Sequence, residues 1–252
     1  MKKLVYLSIA IFWMSNVIGQ DLKPEYQKFI KSFIADVKKG DKEAVAGFIS
    51  FPLSREYPIP SITNKADFIK KYDQIFDAKL TSEIIKSNLA KDWSEMGWRG
   101  IMLNSGTLWM DTDGKIIGIN YQSQFEKDLK AKLIASEKTK LHPSIANFKA
   151  PEYILETSKF RIRIDDLGNE NYRYASWSIK QKMSEKPDLI ITNGKWVQQG
   201  SGGNHYIEFK KGNYIYTCDI IVLGTSESPP ARLVITQNGK EILNQNATIV
   251  PR

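Results

Sequence analysis

The sequence predicts an α+β protein whose first half mixes helices with hairpins and whose second half is all β. Three observations carry this. Apolar residues recur at helical spacing as far as residue 89, Asn/Asp-Gly pairs then separate short apolar runs, and beyond residue 151 the apolar period becomes two.

The chain opens with Met1, Lys2 and Lys3, an apolar run from Leu4 to Met14, and a small-residue exit at Val17-Ile18-Gly19. A cationic head and an apolar core shorter than the ~20 residues of a spanning helix describe a secretory signal. Residues 1–19 are therefore expected to be removed after Gly19, leaving a protein with no membrane span, in the periplasm or outside the cell.

Residues 20–138 are expected to form the first domain. Phe29, Ile30, Phe33, Ile34 and Val37 mark a helix that Pro24 begins and Gly40 stops. Val45, Phe48 and Ile49 suggest a short second helix. Phe51-Pro52-Leu53 and the prolines at 58 and 60 mark an irregular or edge-strand passage. Asn64 is placed to cap a third helix carrying Phe68, Ile69, Tyr72, Ile75 and Phe76, and a fourth carries Leu80, Ile84, Ile85 and Leu89. Extended segments follow from Gly97 to Tyr121, turning at Asn104-Ser105-Gly106 and Asp113-Gly114. A charged helix over roughly 123–138 closes the domain.

Residues 139–151 read as a linker, and 152–252 as a β-sandwich or small barrel. Phe160, Ile162 and Ile164 alternate with Arg161, Arg163 and Asp165, the pattern of a half-buried strand. Further strands are expected over 172–179, 188–192, 196–198, 205–209, 214–223, 232–236 and 241–243. Gly168-Asn169, Asn193-Gly194, Lys211-Gly212-Asn213 and Asn238-Gly239 punctuate them.

The net charge of +8 falls to +6 without Lys2 and Lys3, and divides as +4 over 21–149 and +2 over 150–252. Nucleic-acid binders gather their basic residues into one footprint, so this spread argues against that partner class. Cys218 is the only cysteine, which excludes an intramolecular disulfide, and its alternating strand context predicts a buried thiol.

The run of elements with Lys39-Gly40-Asp41, Phe51-Pro52-Leu53, Asn64 to Tyr72 and the Trp98–Tyr121 hairpins resembles the nuclear-transport-factor-2-like (cystatin-like) α+β superfamily. The resemblance implies helices packed on a curved antiparallel sheet, often around a pocket. Tyr172 to Trp177, Lys186-Pro187-Asp188-Leu189 and Gly200 to Tyr206 are similar to a module of exported bacterial proteins of unknown function.

Asp111-Thr112-Asp113-Gly114 has the start of a calcium loop but Gln122 where the distal Glu belongs, so a hairpin turn is expected. Gly200-Ser201-Gly202-Gly203 lacks the Lys-Ser/Thr ending of a phosphate loop and the Gly-x-Ser-x-Gly of a nucleophile elbow. With His142, His205 and Cys218 the only soft ligands, no zinc site is expected, and no cofactor or catalytic residue is assigned.

The residues singled out for binding are aromatics with polar tips, Tyr72, Trp93, Trp98, Trp109 and Tyr121, with Arg99 supplying charge. Ordinary core packing accounts for the same set. Ser201, Asn204 and His205 mark an interaction loop. The expected function is a non-enzymatic envelope protein binding another envelope protein or a small apolar or sugar ligand. The alternatives are a small-pocket hydrolase or isomerase in the first domain, and an inhibitor of a cell-wall-degrading enzyme.

Overall fold

A computed structural model describes residues 22–250, so the secretory signal expected over residues 1–19 lies outside the described residues. The described residues are α+β, with five α-helices, a four-stranded sheet and a closed eight-stranded barrel. It forms two compact units, residues 22–50 with 78–121, and residues 51–77 with 122–250. Among the described residues no helix is long and apolar enough to cross a membrane.

In the first unit, α1 (Pro24–Lys39) buries Tyr26, Ile30, Phe33 and Val37, a stripe at spacings of three and four. Gly40 ends it at φ 68°, donating to the Val37 carbonyl while Asp41 donates to Asp36. Glycine takes this left-handed position without a Cβ penalty. Asp41 then caps α2 (Lys42–Gly47) by accepting from the Ala44 amide, and α4 (Ala78–Lys86) buries Leu80 and Ile84. The sheet is an antiparallel meander of β1 (Trp93–Glu95), β2 (Ile101–Leu103), β3 (Leu108–Met110) and β4 (Ile116–Ile119). Pairing Ile101 with Met110 and Leu103 with Leu108 puts these buried side chains on one face. At Asp113-Gly114, Asp111 Oδ1 accepts from the amides of Asp113 and Lys115, so its carboxylate builds the turn.

In the second unit, Asn64 caps α3 (Lys65–Ile75) by accepting from the Asp67 amide, as its position in the sequence predicts. Ser123 and Glu126 form a capping box on α5 (Gln124–Lys138). Glu126 is buried and takes a bidentate pair of hydrogen bonds from Arg55, both 2.6 Å.

The strands β5 (Ala150–Glu156), β6 (Phe160–Asp166), β7 (Tyr172–Ser178), β8 (Leu189–Gln198), β9 (His205–Lys211), β10 (Tyr214–Ile220), β11 (Ala231–Gln237) and β12 (Lys240–Ile249) pair in sequence order, all antiparallel. Among the described residues β12 closes the ring on β5 through two residue pairs, Thr248 with Glu156 and Ile249 with Leu155. The alternation admitted a sandwich or a barrel, and this closure makes it a barrel. Its interior is filled by Leu155, Ile162, Ile164, Tyr174, Ile207, Phe209, Cys218 and Leu233 among others.

Three local expectations change. Asn193-Gly194 is not a turn between strands but lies inside β8, where the strand leaves β7 and takes up β9. Asn193 sits at φ 62°, and a Cβ on Gly194 would lie 2.1 Å from the Phe209 ring. β5 begins within the stretch read as a linker, which also carries a 3₁₀ turn at Pro143–Ile145. Finally, β6 is buried on both faces. Arg163 and Asp165 have no exposed surface, because Leu141, Ile145 and Phe148 cover the outer side of β6 and β7 together with Ala175 and Trp177.

Charge is balanced under that cover. Asp165 Oδ2 accepts from Arg173 at 2.6 Å, and Asp165 Oδ1 lies 2.7 Å from Arg163 Nη2 as an ion pair whose angles fall outside hydrogen-bond geometry. Arg163 also donates to Glu137. Burial works against the Arg163 charge, but Asp165 and Glu137 more than offset it and hold the guanidinium pKa above its ordinary value.

Candidate aromatic site at the barrel mouth

The residues singled out in the first domain are divided between the two units. Trp93 is buried and its Nε1 donates to Ser87 Oγ at 2.9 Å. Trp98 and Arg99 are exposed on a 3₁₀ turn, while Trp109 and Tyr121 are half-buried, with Lys79 Nζ 5.9 Å from the Tyr121 ring centre. Tyr72 belongs to the second unit, stacked on Phe76 at 4.9 Å. Burial raises its phenol pKa to about 12.

The expected interaction loop is fastened down. Asn204 Oδ1 accepts from the amides of Val222 and Leu223 at 2.8 and 2.7 Å, and Asn204 Nδ2 donates to the Leu223 carbonyl at 2.9 Å. This staples the β8–β9 loop to the β10–β11 loop. Ser201 is exposed, and His205 points into the barrel with 6% of its surface accessible.

His205 is the one expected residue at the centre of a functional-looking arrangement. Its Nδ1 lies 2.8 Å from the Gly203 carbonyl, which can only accept, so Nδ1 carries the proton in the neutral ring. Nε2 is then an acceptor, and the Tyr153 hydroxyl donates to it at 3.1 Å. Burial lowers the His205 pKa from its ordinary value, with the Gly203 bond opposing, so the neutral form is favoured.

The imidazole stacks on Trp196, with centroids 3.7 Å apart and planes at 14°. Register explains the contact: Trp196 pairs with Ile207 and Gln198 with His205, making Trp196 and His205 diagonal neighbours on the inward face. Tyr153 and Tyr172 lie 6.4 and 6.0 Å from the indole. Trp196 is nevertheless 39% exposed.

Its exposed part borders a cleft of about 730 Å³ lined by Glu152, Asn169, Glu170, Tyr172, Lys195 and Trp196. The lining thus combines two aromatic rings with acceptors from Glu152 and Glu170 and donors from Lys195 and Asn169. Burial raises the Tyr172 phenol pKa, and Glu152, Asp166 and Glu170 add to the rise. Asn169 and Glu170 hold φ of 54° and 57° in the loop between β6 and β7. Asn171 Oδ1 accepts from the Asn193 amide at 2.9 Å, tying that loop to the strand that carries Trp196.

Sequence reasoning found His205 but missed Tyr153, Tyr172 and Trp196 as its companions. The available signal was an aromatic two residues after Asn193-Gly194, in phase with His205 across the following hairpin. Among the described residues no group of three or more His, Cys, Asp or Glu could hold a metal ion. The chain matches no known protein-family model, no curated protein and no solved structure.

Proposed function

We propose that this chain is a non-enzymatic binding protein of the bacterial cell envelope that holds a saccharide at the mouth of its barrel. The observation that carries the reading is the partly exposed Trp196, backed by His205 and bordering a cleft with donors and acceptors on its walls. A sugar ring offers an apolar face of C–H groups and a rim of hydroxyls that both donate and accept. An aromatic platform ringed by carboxylate, amide and ammonium groups complements both. The platform is fixed before binding, which lowers the ordering cost of association. The envelope assignment rests on the leader read in residues 1–19.

The test is calorimetric titration of the mature protein with soluble cello-, xylo- and chito-oligosaccharides. At least one series should bind, and Trp196→Ala should weaken that binding at least about tenfold, a loss of ~1.4 kcal/mol. No heat with any series, or unchanged affinity in the variant, would refute the reading. Export is checked separately by the intact mass of the protein recovered outside the cytoplasm, which should begin at Gln20.

A further inference from the structure

We propose that the seam of the barrel takes up an extended segment of another protein as an added strand beside β12. Among the described residues β12 meets β5 only at Thr248 and Ile249, with the Val250 amide bonded to the Ile154 carbonyl beyond them. β5 ends at Glu156, and the chain turns away through Thr157 and Ser158 into β6. Residues 240–247 of β12 therefore have β11 along one edge and, among the described residues, no strand along the other. Alternation along an antiparallel strand carries the orientation of Val250 back to Asn246 and Asn244, which turn their backbone N–H and C=O groups to the open edge. Exposure agrees. Asn244 and Asn246 are exposed, and Leu243 and Gln245, on the inward side, are only half-buried.

Two features beside the edge describe the strand that fits. A cleft of about 450 Å³ opens where β12 passes the end of β5, with Ile179, Pro229, Pro230 and Ala247 among its walls. It receives an apolar side chain at the foot of an added strand. Gln245 Oε1 is buried and accepts no hydrogen bond. A hydroxyl or amide on the residue paired opposite it supplies the missing donor. Main-chain bonds along an edge, with a pocket for a side chain, are a recurring mode of extended-peptide recognition. A second copy of this chain fits the edge poorly. Its own Leu243 is committed to its own barrel and has no reach into the cleft. Ile235 pairs with Leu243 and Thr236 with Glu241, leaving Ile242 as a bulge. A two-fold pairing of two β12 strands would bring both bulges near the middle of the ladder and break it.

The experiment pans a displayed library of random heptapeptides against the mature protein. Enriched sequences are resynthesised with blocked ends and titrated by calorimetry. They should carry an apolar residue near one end and a Ser, Thr, Asn or Gln within the segment. Methylating single amides of the peptide should weaken binding at least about tenfold at alternate positions only, the signature of a ladder on one edge. Asn246→Pro removes an outward N–H and leaves the bonds to β11 intact. It should lower peptide affinity at least about tenfold at an unchanged urea midpoint. Should that variant be destabilised, the methylation series decides alone. No enriched peptide, or losses without alternation, would overturn the proposal. Sedimentation showing dimers of the protein alone, dissolved by Asn246→Pro, would assign the edge to a second copy and overturn it equally.

Discussion

The Tyr153 hydroxyl donates to His205 Nε2 at 3.1 Å across the barrel, joining β5 to the strand opposite it in the ring. The bond ties together two strands that share no backbone pairing, and it orients the imidazole on which Trp196 rests. Removing the donor leaves a buried acceptor unmet, at a cost of about 1–3 kcal/mol. Tyr153→Phe should lower the urea midpoint accordingly and weaken saccharide binding, whereas a Tyr153→Phe protein matching the wild type in both would show the bond to be idle.

The same residue makes stability depend on pH. His205 titrates below its ordinary value of 6.5 when folded, so between the two values the unfolded chain binds the proton and the folded chain does not. Stability is therefore full above about pH 6.5 and falls on acidification toward the folded pKa. Urea midpoints at about pH 7.5 and 5.5 should separate more in the wild type than in His205→Gln. His142 is common to both proteins, so an equal separation would exclude His205 as the source.

Gly194 is where Phe209 fills the barrel. A methyl group there would lie 2.1 Å from the ring, so Gly194→Ala should destabilise by about 1–3 kcal/mol through overpacking. Adding Phe209→Leu should restore part of the loss. A double variant no more stable than Gly194→Ala would point to the backbone rather than the ring.

Asp165 holds two buried guanidiniums. Asp165→Asn keeps the shape and removes the charge, leaving Arg163 and Arg173 close together without their shared counter-ion, at about 3–5 kcal/mol. Chemical denaturation should register that loss. A change under about 1 kcal/mol would mean that Glu137 and the carbonyls of Ile145 and Asn147 suffice for the two arginines.

Asn204 closes three hydrogen bonds between loops. Asn204→Ala should speed hydrogen exchange at the Val222 and Leu223 amides and open both loops to proteolysis, with a stability loss of about 1–2 kcal/mol. Gly202 also lies against the Leu223 side chain, and unaltered exchange at those amides would show that this packing alone holds the loops.

What the sequence disclosed and what it hid follow one physical rule: local signals are legible, and long-range pairing is not. Asn64, Gly40 and Asp113-Gly114 act within a few residues of themselves, and each ends or begins an element where expected. The period-two pattern of β6 identified a strand, but not that its polar face would be roofed by Leu141, Ile145 and Phe148. β5 was concealed because Pro151 and its neighbours read as a linker. The aromatic site draws Tyr153 and His205 from positions 52 apart, a distance over which no spacing rule reaches. His205 was visible only as a loop residue, since which way it faces depends on the register of β8 with β9.

The thin closure of the ring has a kinetic meaning. Every pairing but one joins strands adjacent in the chain, and the exception brings Thr248 to Glu156 from 92 residues away. A ring paired in this way is expected to grow by short hairpins and to join its ends last, at an entropy cost that rises only slowly with the length enclosed. Being short, that junction is also where thermal opening should begin. The amide of Val250, bonded to the Ile154 carbonyl at 2.9 Å, is accordingly expected to exchange with solvent well before those in the middle of β6 and β7.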